Sequence, residues 1–258
     1  MGSTPSSVDE PVLITGGQQG IGLATAQAFL TAGHPVAIVD TAASGPATDL
    51  VRQYDERLLV LQGDVTHADD VEAALDRIAT AFGKPAGHLI NNAAMQIWGP
   101  MLEADIEGVA RTVQVNVLGP YLTCQRFARR RVAVGGGGSI VNLGSGCNAL
   151  AFPNLSAYTV SKGAVEMLTK SAALELGAHG IRVNCIAPGA IETERTRFET
   201  DGYAERWSPL TPLGRVGQVE DVAAAIVVLC GPAFAFVSGQ TLNVDGALFA
   251  RAVWPSEY

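Results

Sequence analysis

The sequence predicts an α/β fold in which a parallel sheet carries helices on both faces, and three observations lead to it. Short apolar runs alternate with longer amphipathic segments, which is the order of βαβα units. A glycine-rich turn follows the first apolar run and precedes a helical pattern. Hydrophobic residues make up 48% of the chain and charged residues 16%, which is typical of a sheet buried on both faces. We expect residues 11–258 to form one domain, preceded by a flexible leader over residues 1–10.

The overall composition excludes several classes of partner. A formal net charge of −8 provides no basic field for nucleic acid or for an anionic membrane surface. No apolar run reaches the roughly 18 residues that a membrane-spanning helix needs. The four cysteines lie far apart and form no C-x-x-C pattern, so we expect no metal site, no disulfide framework and a cytoplasmic location.

The first strand, turn and helix are predicted to bind a phosphate. A strand over residues 11–15 leads into the turn, and an amphipathic helix covers residues 23–31. Glycines let a pyrophosphate approach the backbone, and the helix N-terminus attracts its negative charge. The residues that form this unit are Thr15, Gly16, Gln18, Gln19, Gly20, Ile21 and Gly22.

An acidic residue follows the second predicted strand, at residues 35–39. Asp40 can accept hydrogen bonds from the adenosine ribose hydroxyls, and it repels the additional phosphate of NADP. No basic side chain follows it before Arg52. The pattern favours NAD, and the alternative is that Asp40 only caps the next turn.

The middle of the chain continues the alternation, with strands at residues 58–61 and 89–91 and a helix at about 69–82. A long helical region at about 103–134 contains Asn116, which competes for backbone hydrogen bonds. Asn116 indicates either a kink or a water held for a proton relay. Three arginines at residues 129–131 either stabilise the helix C-terminus or dock an acidic carrier protein.

A predicted helix at residues 156–177 carries Tyr158 and Lys162 on one face, since they are four residues apart. The ammonium would lower the pKa of the tyrosine from its usual value of about 10, so that Tyr158 could exchange a proton with an alcohol oxygen. Ser145, after a strand at residues 139–143, could hold the same oxygen. The alternative is an ordinary solvated Tyr–Lys pair.

The C-terminal part is predicted to complete the sheet and to cover a ligand. Strands at residues 181–186 and 241–244 flank a helix at 219–229. The connection over residues 194–212 is long, polar and irregular, which suggests a lid, at about 190–214. The tail contains Trp254 and Tyr258.

In their order, these motifs resemble those of the short-chain dehydrogenase/reductase family over about residues 11–246. The motifs are Thr15-Gly16-x-x-x-Gly20-Ile21-Gly22, Asp64-Val65, Asn91-Asn92-Ala93-Ala94, Asn116, Ser145, Tyr158-x-x-x-Lys162 and Asn184-x-x-Ala187-Pro188-Gly189 with Thr193. The departures are Ala94 and Ala247, where glycine is commoner, and Gly144, where a second serine is commoner. The resemblance implies a Rossmann-like, doubly wound, seven-stranded parallel sheet, with NAD across its C-terminal edge.

The resemblance also implies roles for individual residues. Ser145 would bind the substrate oxygen, Tyr158 would exchange its proton, and Lys162 would hold the nicotinamide ribose, while Asn116 would order a water. The remaining cofactor contacts would come from Asp64, Val65, Asn91, Ala93, Pro188, Ile191 and Thr193. Members are commonly homotetramers, and a homodimer is the alternative, with the helices around Asn116 and Tyr158 at the dimer surface.

The predicted reaction is reversible hydride transfer between a secondary alcohol and a ketone. Gln96 and Asn148 are predicted to contact the substrate together with Ser145 and Tyr158, and this polar lining favours a sugar or polyol. A 3-oxoacyl-carrier-protein reductase is an alternative that the arginines support and Asp40 opposes. A dinucleotide-binding regulator without turnover is an alternative from another class.

Overall fold

The computed structural model describes residues 9–250, apart from the side chain of Glu199, and its centre is a seven-stranded parallel sheet. The strands are β1 (Val12–Thr15), β2 (Val36–Asp40), β3 (Leu58–Gln62), β4 (His88–Asn91), β5 (Gly138–Leu143), β6 (Ile181–Pro188) and β9 (Thr241–Val244), in the order β3-β2-β1-β4-β5-β6-β9. The predicted doubly wound fold is therefore confirmed. Two short strands, β7 (Ile191–Glu192) and β8 (Gly217–Gln218), pair separately.

Helices connect these strands on both faces of the sheet. The α-helices of the described residues are α1 (Gly20–Thr31), α2 (Pro46–Tyr54), α3 (Ala68–Phe82), α4 (Ile106–Val113), α5 (Gly119–Ala133), α6 (Ser156–Leu176), α7 (Glu194–Glu199), α8 (Tyr203–Trp207) and α9 (Val219–Cys230). Within residues 9–250, no helix combines the length and the apolar character needed to cross a membrane.

The two faces of the sheet bury separate apolar clusters. On β1, Val12 and Ile14 pack into the cluster that contains α1 and α9, whereas Leu13 packs into the cluster that contains α3 and α5. Successive residues of a strand point to opposite faces, so a strand covered on both sides is apolar throughout. This explains the short continuous apolar runs of the sequence.

The lid and helix α2 differ from the prediction, whereas the helical region predicted at about 103–134 is confirmed. Its helical residues run without a gap from Ile106 to Ala133, and a π-helical turn at Gln114–Leu118, which contains Asn116, separates α4 from α5. The predicted irregular lid contains α7 and α8. Helix α2 was not predicted, although Ala47, Leu50, Val51 and Tyr54 recur at helical spacing and pack against the core.

The ends of the chain extend beyond the described residues. Residues 1–8 of the predicted leader lie outside them, as does the tail with Trp254 and Tyr258. Glu10, the last residue of the predicted leader, lies within the described residues, and its carboxylate lies 3.2 Å from Arg131 and 3.9 Å from Lys84.

The order in which strands are added to the sheet reverses between β1 and β4, which are parallel neighbours although two strands separate them in sequence. Ligands of open α/β sheets bind in the crevice at such a switch point. Thr15 and Asn91 are the last paired residues of these two strands. Just beyond them, Gly16 lies against Ala93. A Cβ at Gly16 would be 2.7 Å from Ala93 Cα, so only glycine permits this approach.

Candidate active site

A cavity of about 680 Å³ lies along the C-terminal ends of the strands from β2 to β6. Most of the predicted site residues line it. They are Gly16, Gln19, Gly20, Ile21, Asp40, Asp64, Val65, Ala93, Gln96, Ser145, Tyr158, Lys162, Pro188, Ile191 and Thr193.

Six predicted residues do not line the cavity but lie behind its surface, where they hold the neighbouring segments in place. They are Thr15, Gln18, Gly22, Asn91, Asn116 and Asn148. Thr15 Oγ1 accepts hydrogen bonds of 3.1 Å from the backbone N–H groups of Asn92 and Ala93. Gln18 Nε2 donates to Thr48 Oγ1 at 3.2 Å. A Cβ at Gly22 would collide with the carbonyl oxygen of Gly16, so Gly22 serves the packing of α1 against the turn.

The N-terminus of α1 is open for a phosphate. Gln19 stands at the N-cap position and makes no side-chain cap hydrogen bond. Gly20 has a φ of 58°, and a Cβ there would meet only Thr193 Cγ2, at 3.9 Å. Unpaired N–H groups and the helix dipole attract an anion at such an end. The residues present therefore fit the pyrophosphate of a dinucleotide.

Asp40 closes the β2 end of the cavity and also organises the turn. Its Oδ2 accepts from Gln18 N at 3.1 Å and its Oδ1 from Ala42 N at 3.0 Å. A carboxylate has about four lone-pair sites, so ribose hydroxyls can still bind. The cap role and the cavity position that the sequence left as alternatives thus occur together.

Asp64 lines the cavity, but its carboxylate is bound within the protein. It accepts from the Thr66 N–H at 2.8 Å, from the Thr66 hydroxyl at 2.7 Å and from Arg111 at 2.9 Å. Burial raises the pKa of Asp64, but these bonds outweigh it and the net shift is downward. Asp64 therefore fixes the loop that carries Val65 into the cavity.

Tyr158 and Lys162 meet on one face of α6, as their spacing predicts. Lys162 is 3% exposed, its Nζ donates to the Leu143 carbonyl at 2.6 Å, and it lies 5.4 Å from the centre of the Tyr158 ring. Burial lowers the pKa of Lys162 to about 8, so the side chain remains a cation at neutral pH.

The pKa of Tyr158 differs from the sequence prediction. Burial of the phenol raises it to about 12, although a hydrogen bond with Ser145 acts in the opposite direction. The net shift is therefore upward and not downward as predicted, because desolvation of the buried phenolate outweighs the groups that favour it. Tyr158 is therefore a neutral phenol, which is the form that can give a proton.

Asn148 orients Ser145 and does not contact the cavity as predicted. Its Oδ1 accepts from Ser145 N at 3.1 Å, and its Nδ2 donates to Cys185 Sγ at 3.4 Å. This amide occupies the space beside Gly144, where a Cβ would lie 2.7 Å from Cys185 Sγ and 2.8 Å from Asn148 Oδ1. The departure at Gly144 thus has a physical reason.

The side chains of Asn116 and Asn91 are fully engaged. Asn116 accepts from Met95 N at 2.8 Å and donates to Met95 O at 2.8 Å and Ser161 Oγ at 3.0 Å. Asn91 donates to Asn142 at 2.8 Å and accepts from Thr123 at 2.6 Å. Neither amide is free to take the predicted water or ribose, so any such contact would have to use the main chain.

The sequence interpretation missed an aromatic wall of the cavity. Its members are Phe152, Tyr203, Trp207 and Phe249. The rings of Phe152 and Phe249 are 5.5 Å apart and T-shaped. Gly146 makes room for Phe249, since a Cβ there would lie 2.7 Å from its Cζ. This contact joins parts of the chain that are distant in sequence, so no local sequence pattern predicts it.

A dinucleotide-sized crevice beside a neutral phenol, a buried ammonium and a serine hydroxyl defines the chain as a nicotinamide-dependent oxidoreductase. Residues 16–248 match the family model described as enoyl-(acyl carrier protein) reductase. The cis-4-hydroxycyclohexanecarboxylate dehydrogenase of Sinomonas cyclohexanicum is 34% identical over 92% of this chain and 96% of the relative. The L-rhamnose 1-dehydrogenase (NAD(P)(+)) of Sphingomonas sp. (strain SKA58) is 34% identical over 93% and 96%.

A solved structure is similar in fold as well as in sequence. The gluconate 5-dehydrogenase of Burkholderia cenocepacia J2315, in complex with NADP and tartrate, superimposes with a TM-score of 0.86 at 34% identity, over 94% of this chain and 96% of that one. The chain belongs to the short-chain dehydrogenase/reductase family. It is an enzyme of the dehydrogenase class that acts on CH–OH groups with a nicotinamide dinucleotide.

Proposed function

We propose that the enzyme is an NAD-dependent dehydrogenase that interconverts a secondary alcohol and a ketone in a small substrate of the sugar or polyol type. The observation that carries this proposal is the convergence of Ser145, Tyr158 and Lys162 on one cavity. Relatives that act on L-rhamnose and gluconate support the substrate class.

The proposed proton path uses the chain's own groups. In the reducing direction the Ser145 hydroxyl donates to the carbonyl oxygen of the substrate, and Tyr158 gives its proton to the same oxygen. The Lys162 ammonium stabilises the phenolate that remains, and its two other N–H donors are available to a ribose. A bound nicotinamide would supply or accept the hydride at its C4. Asn116 keeps the helix break in place, and a relay water would meet the main chain there.

The preference for NAD rests on Asp40. Its negative charge lies at the strand end where the ribose of a dinucleotide binds in this fold, and it repels a 2′-phosphate. The structural neighbour holds NADP and one relative uses NAD(P)(+), so the choice has to be measured for this chain. Initial rates with NAD and NADP across an alcohol and sugar panel measure it directly, and a faster rate with NADP would contradict the proposal.

Substitution of Tyr158 tests the chemistry. Tyr158→Phe removes the hydroxyl that exchanges the proton, so turnover should fall by about 10²- to 10⁴-fold. NADH binding, followed by fluorescence, should be kept. Tyr54→Phe is the matched control, because Tyr54 ends α2 and does not line the cavity. Near-normal turnover by a folded, NADH-binding Tyr158→Phe variant would refute the assignment.

A carrier-protein reductase has less support than the sequence suggested. Arg130 forms ion pairs of 2.5 Å with Glu72 and with Asp76. Arg131 donates to the Gly137 carbonyl at 2.6 Å and also pairs with Glu10. These two cations are engaged within the chain. The description of the matching family model keeps the alternative open, so the panel should include an acyl thioester.

The regulator alternative is opposed by the complete Ser-Tyr-Lys set. Turnover of any member of the panel would exclude it.

We also propose a homotetramer in the cytoplasm. Several large apolar side chains are exposed on α4 to α6 and in the π-helical turn, which supports the predicted subunit surface. They are Ile106, Leu118, Tyr121, Val160, Met167 and Leu174. All four cysteines are free thiols, which is consistent with a reducing compartment. Light scattering coupled to size-exclusion chromatography would test the oligomeric state.

A further inference from the structure

The lid carries a cation into the substrate side of the cavity. Arg195 lies in the first turn of α7 and lines the same cavity as Ser145 and Tyr158. A reciprocal cap fixes this turn: Thr193 Oγ1 accepts from Thr196 N at 3.1 Å, and Thr193 N donates to Thr196 Oγ1 at 2.8 Å. Arg195 is therefore presented from a defined backbone and not from an irregular loop.

The charge of Arg195 acts on the groups that handle the proton. Burial raises the pKa of Tyr158 to about 12, and the positive charge of Arg195 works against that shift. Burial lowers the pKa of Lys162 to about 8, and Arg195 adds to this shift because like charges repel. An anionic group held by Arg195 would occupy the same cavity as the Tyr158 hydroxyl. Glu194 also lines the cavity from the same turn.

The neighbouring Arg197 offers a contrast on the same helix. Its side chain is 62% exposed, pairs with Glu192 at 3.6 Å and does not line the cavity. Both arginines are cations on α7, but only Arg195 lines the cavity, whereas Arg197 faces solvent.

The aromatic wall provides an apolar surface in the same cavity. Phe152 packs on Phe249, and Tyr203 lies 6.2 Å from Trp207 between ring centres. Such rings pack against the carbon skeleton of a ligand. A cation and an apolar wall in one cavity favour a ligand that combines an anionic group with a carbon skeleton over a fully hydroxylated neutral polyol.

We propose that the substrate is a small hydroxy-carboxylate, with its carboxylate on Arg195 and its carbon skeleton against the aromatic wall. The alcohol carbon then lies at Ser145 and Tyr158. This inference rests on the proposed function, since it names the substrate of that site. The dinucleotide pyrophosphate is the competing anion, and it already has the open N-terminus of α1.

Matched substrates test the charge preference. We would measure kcat/KM for D-gluconate against D-glucitol, and for 4-hydroxycyclohexanecarboxylate against its carboxamide. The enzymes are wild type, Arg195→Met and the control Arg197→Met. Arg195→Met should lose about 10- to 100-fold on the carboxylates, as expected for a hydrogen bond to a charged group. The effect of its charge on Tyr158 and Lys162 is common to both members of a pair, so the ratio of kcat/KM for the carboxylate over that for the neutral compound should fall, and Arg197→Met should resemble wild type. An equal loss on both members of a pair, or a rise confined to the KM for NAD, overturns the inference.

A binding measurement separates this inference from the proposed reaction. Tartrate would be titrated into each enzyme–NADH complex by calorimetry, which requires no turnover. Weaker tartrate binding by Arg195→Met alone supports the carboxylate site. If that result is found and no alcohol is oxidised, the proposed reaction is wrong but the carboxylate site is supported. Equal tartrate binding by all three enzymes overturns the site, whatever the rates show.

Discussion

The contact between Gly144 and Asn148 yields a prediction that joins packing to catalysis. An added methyl group at position 144 would lie 2.8 Å from Asn148 Oδ1 and 2.7 Å from Cys185 Sγ. Gly144→Ala should therefore push the Asn148 amide away from the Ser145 N–H. Removal of that amide should relieve the contact with Asn148, whereas the contact with Cys185 Sγ remains.

The expected energies follow from the lost contacts. Overpacking costs about 1–3 kcal/mol, so Gly144→Ala should lower the free energy of unfolding by that amount. Asn148→Ala loses two hydrogen bonds, at about 0.5–1.5 kcal/mol each. Independent effects would add to about 2–6 kcal/mol, whereas relief of the contact with Asn148 should leave the double variant more stable than this sum, by a coupling of up to about 1–3 kcal/mol.

Urea unfolding of the four proteins, at one protein concentration and followed by tryptophan fluorescence, measures this coupling. Turnover should not recover with stability, because the double variant still lacks the group that orients Ser145, and small misplacements can cost up to about 10²-fold in rate. Strict additivity of the unfolding energies would refute the reasoning. So would wild-type turnover by Asn148→Ala.

Three further predictions concern single charges. Asp40→Asn keeps an acceptor for the turn but removes the charge, so the ratio of kcat/KM for NAD over NADP should fall about 10-fold or more, and an unchanged ratio would remove Asp40 from the account. Burial lowers the pKa of Lys162 from 10.5 to about 8, so between pH 8 and about 10 the unfolded chain holds a proton that the folded chain has lost. The urea midpoint of wild type should then rise with pH relative to that of Lys162→Met, and parallel midpoints would contradict the lowered value. Arg130→Met breaks half-exposed pairs between α5 and α3 and should cost only about 1 kcal/mol, measured as a shift of roughly 2–4 °C in Tm, while turnover stays unchanged.

The elements of the sheet could be predicted because burial on both faces leaves a strong pattern. Each strand of the core is a short apolar run, and the glycine turn lies between a strand and a helix as its chemistry requires. Helix α2 was missed although its sequence carries a helical signal, since Ala47, Leu50, Val51 and Tyr54 lie at helical spacing. The short helix α7 depends on the local cap at Thr193 and α8 has only five residues, and a polar sequence does not distinguish such helices from a loop.

The site could be predicted where its chemistry depends on local spacing, and not where it depends on long-range contacts. Tyr158 and Lys162 share a helix face, so their proximity follows from four residues of sequence. Whether the phenol is acidified depends on its burial, which no spacing reports. The orientation of the Asn148 amide and the approach of Phe249 likewise arise only when separate segments pack together.

The small ribbon formed by β7 and β8 has a consequence for the motion of the lid. Ile191 pairs with Gly217 and Glu192 with Gln218, so the segment between them leaves and rejoins the body of the protein at one point. A loop whose two ends are held together loses less conformational entropy when it becomes ordered than a free chain of the same length. We expect the lid to move about this ribbon without disturbing the large sheet, and a protease cut at an exposed bond such as the one after Phe198 to leave both pieces held at the ribbon.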